Sequence, residues 1–250
     1  MDVPGPIAIA HRGGAASQPE NTMAAFQDAV NLGYDYIETD VHATRDGVLV
    51  AFHDNRLDRV TDRSGRISDL DWAEVSQAKV AGRETVPLLE ELLSTWPDLR
   101  INIDPKDDGA LGPLIKILRR PDILERVCLG SFSGRRLNEL RDALGPALCT
   151  SMGPAEVVRL LVTSLGIPAG SFAAKAAQVP VRHYGVPVVT RKFVMAAHEK
   201  NLKVHVWTIN DPAMMNILLD LGVDGIMSDE IALLKSVFIE RGLWLKNDNE

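Results

Sequence analysis

The sequence predicts an α/β fold, a (β/α)8 barrel of the TIM type, with a β-hairpin and a short insertion (about residues 54–86) after its second strand. Three observations carry that expectation. Short apolar, β-rich runs alternate with amphipathic helical runs, and counting them gives eight strand–helix units. The 250 residues, 46% of them apolar, suit one large barrel domain. The polar residues able to do chemistry fall at the C-terminal ends of the strand runs, where barrels carry their sites. An open doubly wound sheet is the alternative, but no Gly-x-Gly-x-x-Gly turn follows the first strand.

Taken in order, Ile7-Ala8-Ile9-Ala10 is a strand running into His11-Arg12-Gly13-Gly14. A helix opens at Asn21 or Thr22, places Met23, Phe26 and Val30 on one face, and is capped by Gly33. Ile37 to His42 and Val48 to Phe52 are joined by Thr44-Arg45-Asp46-Gly47, and Asp-Gly between two such runs signals a hairpin. Residues 57–83 are polar and irregular, a long loop with a helix expected at 69–79, and Pro87 opens a helix at 88–94. Strands at 100–104, 127–131, 147–151, 174–179, 204–208 and 225–228 then alternate with helices at 110–119, 133–143, 154–165, 190–200, 211–221 and 230–240.

A formal charge of −7 and a pI near 5.4 argue against nucleic acid or an anionic membrane as the main partner. They leave open a phosphorylated small molecule, whose charge a metal can balance. The chain shows no basic start followed by an apolar stretch and no apolar run able to cross a bilayer, so the expectation is a cytoplasmic protein without a transmembrane segment. Cys128 and Cys149 are isolated in β-like runs, which indicates buried reduced thiols rather than a disulfide frame or a zinc site. No feature specifies an oligomeric state.

On a strand, Glu38 and Asp40 share a face. With Asp46-Gly47 as a two-residue turn, Arg45 pairs with Val48 and Asp40 lies opposite His53, their Cβ atoms roughly 5 Å apart. Two carboxylates and an imidazole gathered so suit a divalent cation beside a general acid or base. The competing reading is a solvated strand face with a structural histidine. Arg12, followed by glycines that let backbone approach a ligand, offers a planar fork matched to phosphate, or is a surface arginine beside a satisfied histidine. Asp104 ends an apolar strand, a costly place for a charge unless it is paired or metal-bound. Glu38, Asp40 and Asp104 together form an oxygen-rich set that selects Mg²⁺ or Ca²⁺ over zinc; an ion-pair network with Lys106 is the alternative. Trp207 at the mouth of its strand is either a wall for a substrate group or a core filler. His183, His198 and His205 read as structural or surface residues, and His42 as a supporting or substrate-side group beyond Asp40.

Several ordered motifs resemble the glycerophosphodiester phosphodiesterase family: His11-Arg12-Gly13, Pro19-Glu20-Asn21-Thr22, Glu38-Thr39-Asp40-Val41-His42, Asp46-Gly47 and His53-Asp54. Ile103-Asp104-Pro105-Lys106, Gln178-Val179-Pro180, Val206-Trp207-Thr208-Ile209-Asn210 and Gly222-Val223-Asp224-Gly225-Ile226 extend the resemblance to nearly the whole chain. It implies a divalent cation, Mg²⁺ or Ca²⁺, and hydrolysis of a small-molecule glycerophosphodiester to an alcohol and glycerol 3-phosphate. Carried over by position, His11 and His53 are the acid–base pair, Glu38 and Asp40 metal ligands, and Arg12 the phosphate holder, with Lys106 beside it. The third ligand of the family is usually Glu in Glu-x-Lys, whereas this chain has Asp104-Pro105-Lys106, one methylene shorter. The resemblance also suggests attack by the glycerol 2-hydroxyl, giving a cyclic phosphate that water later opens. Two alternatives accompany this reading. A lysophospholipase D-type enzyme needs a path for an acyl chain: the apolar stretch 165–169 should lie at the wrong end of the barrel, while the insertion could build one. A catalytically silent phosphodiester-binding barrel would be expected to have lost a histidine or a ligand.

Overall fold

The computed structural model describes residues 5–168 and 170–244. Eight parallel strands form its centre: β1 (Ile7–Ala10), β2 (Tyr36–Ala43), β3 (Arg100–Pro105), β4 (Val127–Leu129), β5 (Cys149–Thr150), β6 (Ala176–Pro180), β7 (Lys203–Trp207) and β8 (Gly225–Ser228). They lie side by side in the order β5-β4-β3-β2-β1-β8-β7-β6. One parallel bridge, Ser151 to Ala176, joins β5 back to β6 and nearly closes the barrel. The expected (β/α)8 fold is the one observed.

Eight helices alternate with the strands: α1 (Met23–Asn31), α2 (Leu89–Thr95), α3 (Leu111–Leu118), α4 (Gly134–Leu144), α5 (Pro154–Ser164), α6 (Arg191–His198), α7 (Pro212–Leu221) and α8 (Ile231–Glu240). Their starts are written locally. Thr22, Thr190 and Asp211 accept backbone N–H groups of the first turns of α1, α6 and α7, and proline opens α5 and α7. Alternate strand residues such as Ile37, Ile101, Ile103 and Val204 point outward and pack with Phe26, Leu114, Phe193 and Phe238 in the main core. Each such side chain stabilises the fold by roughly 1.5–3 kcal/mol when fully buried. A small apolar cluster, Ile7, Ile9, Tyr36 and Met227 with Trp207 packed against it, is separate from that core. Polar side chains also fill the barrel: Gln178 Nε2 crosses from β6 to donate to Asn102 Oδ1 at 2.8 Å and to His205 Nδ1 at 3.4 Å. Burial drives the His205 pKa down to about 4, so this ring is a neutral structural acceptor. Cys128 and Cys149 are free thiols in cross-strand register. None of the described helices is long and apolar enough to cross a membrane.

The hairpin differs from expectation by one residue. Thr44 N–H donates to Val48 O, and Gly47, with φ +81°, closes a three-residue loop, Arg45-Asp46-Gly47. The returning arm Leu49–Ala51 therefore pairs Val41 with Ala51, and Phe52 N–H bonds Asp40 O, so Asp40 does not oppose His53. The helix expected at 69–79 shrinks to one turn, Trp72–Val75. Asp71 and Glu74 start it, but Val75, Ala78 and Val80 turn into a separate small core with Val50, Phe52, Leu57 and Ile67, and Lys79–Val80 pairs with Glu84–Thr85. A second hairpin, Arg182–His183 with Val186–Pro187, stands between β6 and α6.

Candidate active site

At the C-terminal ends of the strands lies a cavity of about 520 Å³. It is lined by all eight side chains singled out in the sequence: His11, Arg12, Glu38, Asp40, His53, Asp104, Lys106 and Trp207. Parallel register explains the acidic group. Asp40 is the Cα partner of Asp104 and Glu38 the partner of Asn102, so the carboxylates sit on neighbouring rungs of β2 and β3.

His11 begins a tight turn in which Arg12 (φ +51°) and Gly13 (φ +84°) are left-handed. A Cβ on Gly13 would stand 2.8 Å from Phe26 Cδ1 and 2.9 Å from the Ala25 backbone, so only glycine fits there. The turn aims the Arg12 backbone N–H at Glu38 Oε2 (3.1 Å) and brings Arg12 Nη1 to Glu20 Oε1 (3.1 Å). Arg12 Nε, 3.2 Å from Asp40 Oδ2, is buried without a hydrogen bond. Asn21 Nδ2 donates to Asp40 Oδ2 at 3.0 Å.

His11 and His53 are each held at Nδ1. His11 Nδ1 meets Asp229 Oδ1 at 2.7 Å, and His53 Nδ1 meets Asp54 Oδ1 at 2.7 Å. His53 reaches the cavity because the chain leaves the ladder at Phe52. His42 fixes that exit, with Nδ1 on Asp107 Oδ2 (2.6 Å) and Nε2 on the His53 carbonyl (3.1 Å). The insertion adds Arg59, which grips both Asp54 (Nε to Oδ2, 2.6 Å) and Glu20 (Nη2 to Oε1, 2.6 Å). Asp229 and Arg59 are supporting groups whose partners the sequence does not reveal. His11 and Asp229 are 218 residues apart and meet because β1 and β8 are neighbours.

The charges are strongly coupled. Burial alone would raise Asp40, but Lys106 and Arg12 hold it below the ordinary carboxylate value. Burial dominates at Asp104 and raises it, despite Lys106. Lys106 Nζ bridges the two, 2.7 Å from Asp40 Oδ1 and 2.6 Å from Asp104 Oδ2. Burial opposes the Lys106 charge, but Asp104 and Asp40 raise its pKa above the usual lysine value. Burial also works against His11, yet Glu38 and Asp229 bring its pKa above the ordinary histidine value. Glu38 fares differently: burial, then Asp40, pushes its pKa to about 7.

A Glu38 carboxyl ordinarily at 4.5 and raised to about 7 favours the fold fully below 4.5 and loses that contribution as pH rises through 7. In chelator, Glu38→Gln is therefore expected to be more stable than the parent at pH 8 by up to ~3 kcal/mol, with little difference near pH 4.5. Urea unfolding across that range checks this, and an equal difference at both ends would refute it.

Three carboxylates without a thiol are, by donor chemistry, a hard-cation set that fits Mg²⁺ or Ca²⁺. Among the described residues Glu38 is buried with no lysine or arginine ion pair; its Oε2 accepts from the Arg12 backbone N–H, which leaves it acceptor capacity to spare. With Lys106 between Asp40 and Asp104, no three such groups converge on one point among the described residues.

A model of the glycerophosphoryl diester phosphodiesterase family matches residues 11–233. A probable glycerophosphodiester phosphodiesterase 2 of Mycobacterium tuberculosis is 41% identical over 96% of this chain and 93% of its own. A glycerophosphodiester phosphodiesterase of Caldanaerobacter subterraneus is 30% identical over 90% and 94%. The crystal structure of a glycerophosphoryl diester phosphodiesterase from Silicibacter pomeroyi superposes with a TM-score of 0.80 at 23% identity, covering 96% of both chains. Matched over almost its whole length, the chain belongs to the glycerophosphoryl diester phosphodiesterase family.

Proposed function

We propose that this protein hydrolyses glycerophosphodiesters such as glycerophosphocholine to an alcohol and sn-glycerol 3-phosphate, with His11 and His53 as its acid–base pair. The observation that carries the reading is two imidazoles on one cavity, each tied at Nδ1 to a carboxylate. Donation of Nδ1–H leaves Nε2 as the reactive nitrogen and favours the imidazolium once formed.

The diester's negative charge repels a nucleophile, and Arg12 and Lys106 are placed to offset it. One histidine takes the proton of the attacking hydroxyl, either the glycerol 2-hydroxyl or water. The other gives a proton to the oxygen of the departing alcohol as its bond to phosphorus breaks. Glu38, Asp40 and Asp104 would hold the divalent cation, which when bound supplies charge neutralisation at the phosphoryl oxygens. Asp40 and Asp104 would share that task with the Lys106 ammonium.

The test is release of choline and glycerol 3-phosphate from glycerophosphocholine with Mg²⁺ or Ca²⁺, and again with EDTA. Turnover lost in EDTA and restored by one cation is expected. Absence of release from glycerophosphocholine and glycerophosphoethanolamine with either cation would overturn the proposal.

A further inference from the structure

His53 stands on a stretch of chain that no strand holds. The returning arm of the hairpin ends at Ala51, and Phe52 N–H makes a last bond, to Asp40 O. His42 meets the His53 carbonyl, not its ring. The ring's own partner, Asp54, is the next residue in sequence and travels with it. A carboxylate carried on the same arm does not fix an imidazole by itself; a group anchored elsewhere has to hold the pair.

Arg59 has the geometry for that task. Leu57, 1% exposed, sinks into the small core of the insertion and starts the single turn Leu57–Arg59. The Arg59 guanidinium then spends four hydrogen bonds on two carboxylates. Nε donates to Asp54 Oδ2 (2.6 Å) and Nη2 to Asp54 Oδ1 (3.1 Å); Nη2 also donates to Glu20 Oε1 (2.6 Å) and Nη1 to Glu20 Oε2 (3.2 Å). Each carboxylate is gripped at both oxygens, the arrangement a planar fork allows and a point charge does not. Glu20 belongs to the Pro19-Glu20-Asn21-Thr22 run after β1, a different part of the barrel. It also accepts from Arg12 Nη1 (3.1 Å), and Gln18 of the same loop accepts from Arg83 of the insertion (3.0 Å). The hydrogen bonds of Arg59 are the foremost cause that holds the Asp54 carboxyl down to about 2, so it stays an acceptor for the ring. Arg59 itself does not line the cavity, and its side chain is 48% exposed.

We propose that Arg59 is a positioning residue for the hydrolysis: by tying Asp54 to Glu20 it holds the His53 ring in one orientation at the cavity. The proposal rests on the activity inferred above and adds a residue to it. Magnitudes separate this role from a stabilising one. Ion pairs this exposed contribute little to stability, whereas a displacement of about 1 Å at a reacting group costs on the order of 10²-fold in rate. Loss of Arg59 therefore falls on turnover, not on unfolding.

Arg59→Met keeps most of the stem and removes the fork. On glycerophosphocholine with the activating cation it is expected to lower kcat about 10–100-fold. KM should stay within about threefold of the parent value, with the urea midpoint close to the parent's. His53→Ala distinguishes positioning from a general defect. In that background Arg59→Met should change kcat by less than about threefold, because the ring it orients is gone. An equal loss in both backgrounds, or parental kcat in Arg59→Met alone, would overturn the proposal. Imidazole ¹⁵N NMR gives an answer that needs no turnover. The neutral His53 ring of the parent should carry its proton on Nδ1, and in Arg59→Met its shifts should move to an average of both tautomers. If the parent cleaves no glycerophosphodiester, the proposed function falls and the spectrum decides the rest: averaged tautomers keep Arg59 as the holder of the ring, and unchanged His53 shifts remove it.

Discussion

Replacing either His11 or His53 with alanine is expected to lower kcat on a glycerophosphodiester about 10²–10⁴-fold, or ~3–5 kcal/mol of transition-state stabilisation. The size follows from the chemistry. An alcohol leaves poorly as an alkoxide and attacks poorly as a neutral hydroxyl, and each imidazole removes one of these obstacles. Because the two act in one proton transfer sequence, the double variant should fall little below the worse single variant. His53 is partly exposed and His11 lies at the cavity floor rather than in the packed core, so both variants should fold. Steady-state rates, with circular dichroism as a folding control, decide the matter. Wild-type turnover in either variant would end the two-histidine scheme.

The second large effect is on stability. Lys106→Met in chelator is expected to destabilise the protein by about 3–5 kcal/mol at pH 8, the usual cost of removing one partner from a buried ion pair. Asp40 and Asp104 are both buried, and the Lys106 ammonium touches both. Without it two carboxylates on one rung of neighbouring strands face each other, with Arg12 as counter-charge to Asp40 and Arg136 to Asp104. The pH dependence has a definite sign. Losing Lys106 raises the folded-state pKa of both carboxyls, Asp104 further above its ordinary value and Asp40 up from below it, so protonation favours the variant's fold and the deficit shrinks as pH falls from 8 towards 5. Urea titrations at pH 5 and pH 8 test this; a deficit within ~0.5 kcal/mol at pH 8 would show that the bridge is not structural.

Much of this molecule was legible from alternation and caps. Thr22, Pro154, Pro212 and Gly33 mark helix ends by local chemistry, and the strands announce themselves as apolar runs. The hairpin departs from the expected register for an equally local reason. Asp46 is not a bare turn residue: its carboxylate accepts from Thr44 Oγ1 (2.5 Å) and from the Trp72 N–H (3.0 Å), anchoring a longer loop to the insertion. That bond to a residue 26 positions away cannot be seen from the turn, and it moves the register by one. His53 nonetheless lines the cavity, since its place depends on where the strand ends rather than on which residue it opposes. Asp229 stands in sequence at the end of the last strand run, among the strand-end residues able to do chemistry, but its pairing with His11 depends on barrel closure, and Arg59 is brought in only by the insertion's own folding. The insertion contributes no lining side chain, and part of the apolar lining, Val157, Val158 and Leu161, comes from α5, where these residues look in sequence like an ordinary buried stripe.

The single bridge at the β5–β6 seam gives the two ends of the cavity unequal stiffness. The charged end hangs on β1, β2, β3 and β8, where β2 and β3 alone share six registered residue pairs. The side lined by Val157, Val158 and Leu161 of α5 follows a two-residue strand joined onward by one rung. Segments with few ladder bonds open locally at lower free energy than those with many. Amides around the seam should therefore exchange before those of β2 and β3. The rigid half keeps the geometry around His11, Glu38 and Asp40 constant, while the compliant half can yield to groups of different size. Substitutions along α5 could then retune which substrate is accepted without disturbing how it is cut, so that selectivity and chemistry are free to diverge separately within one barrel.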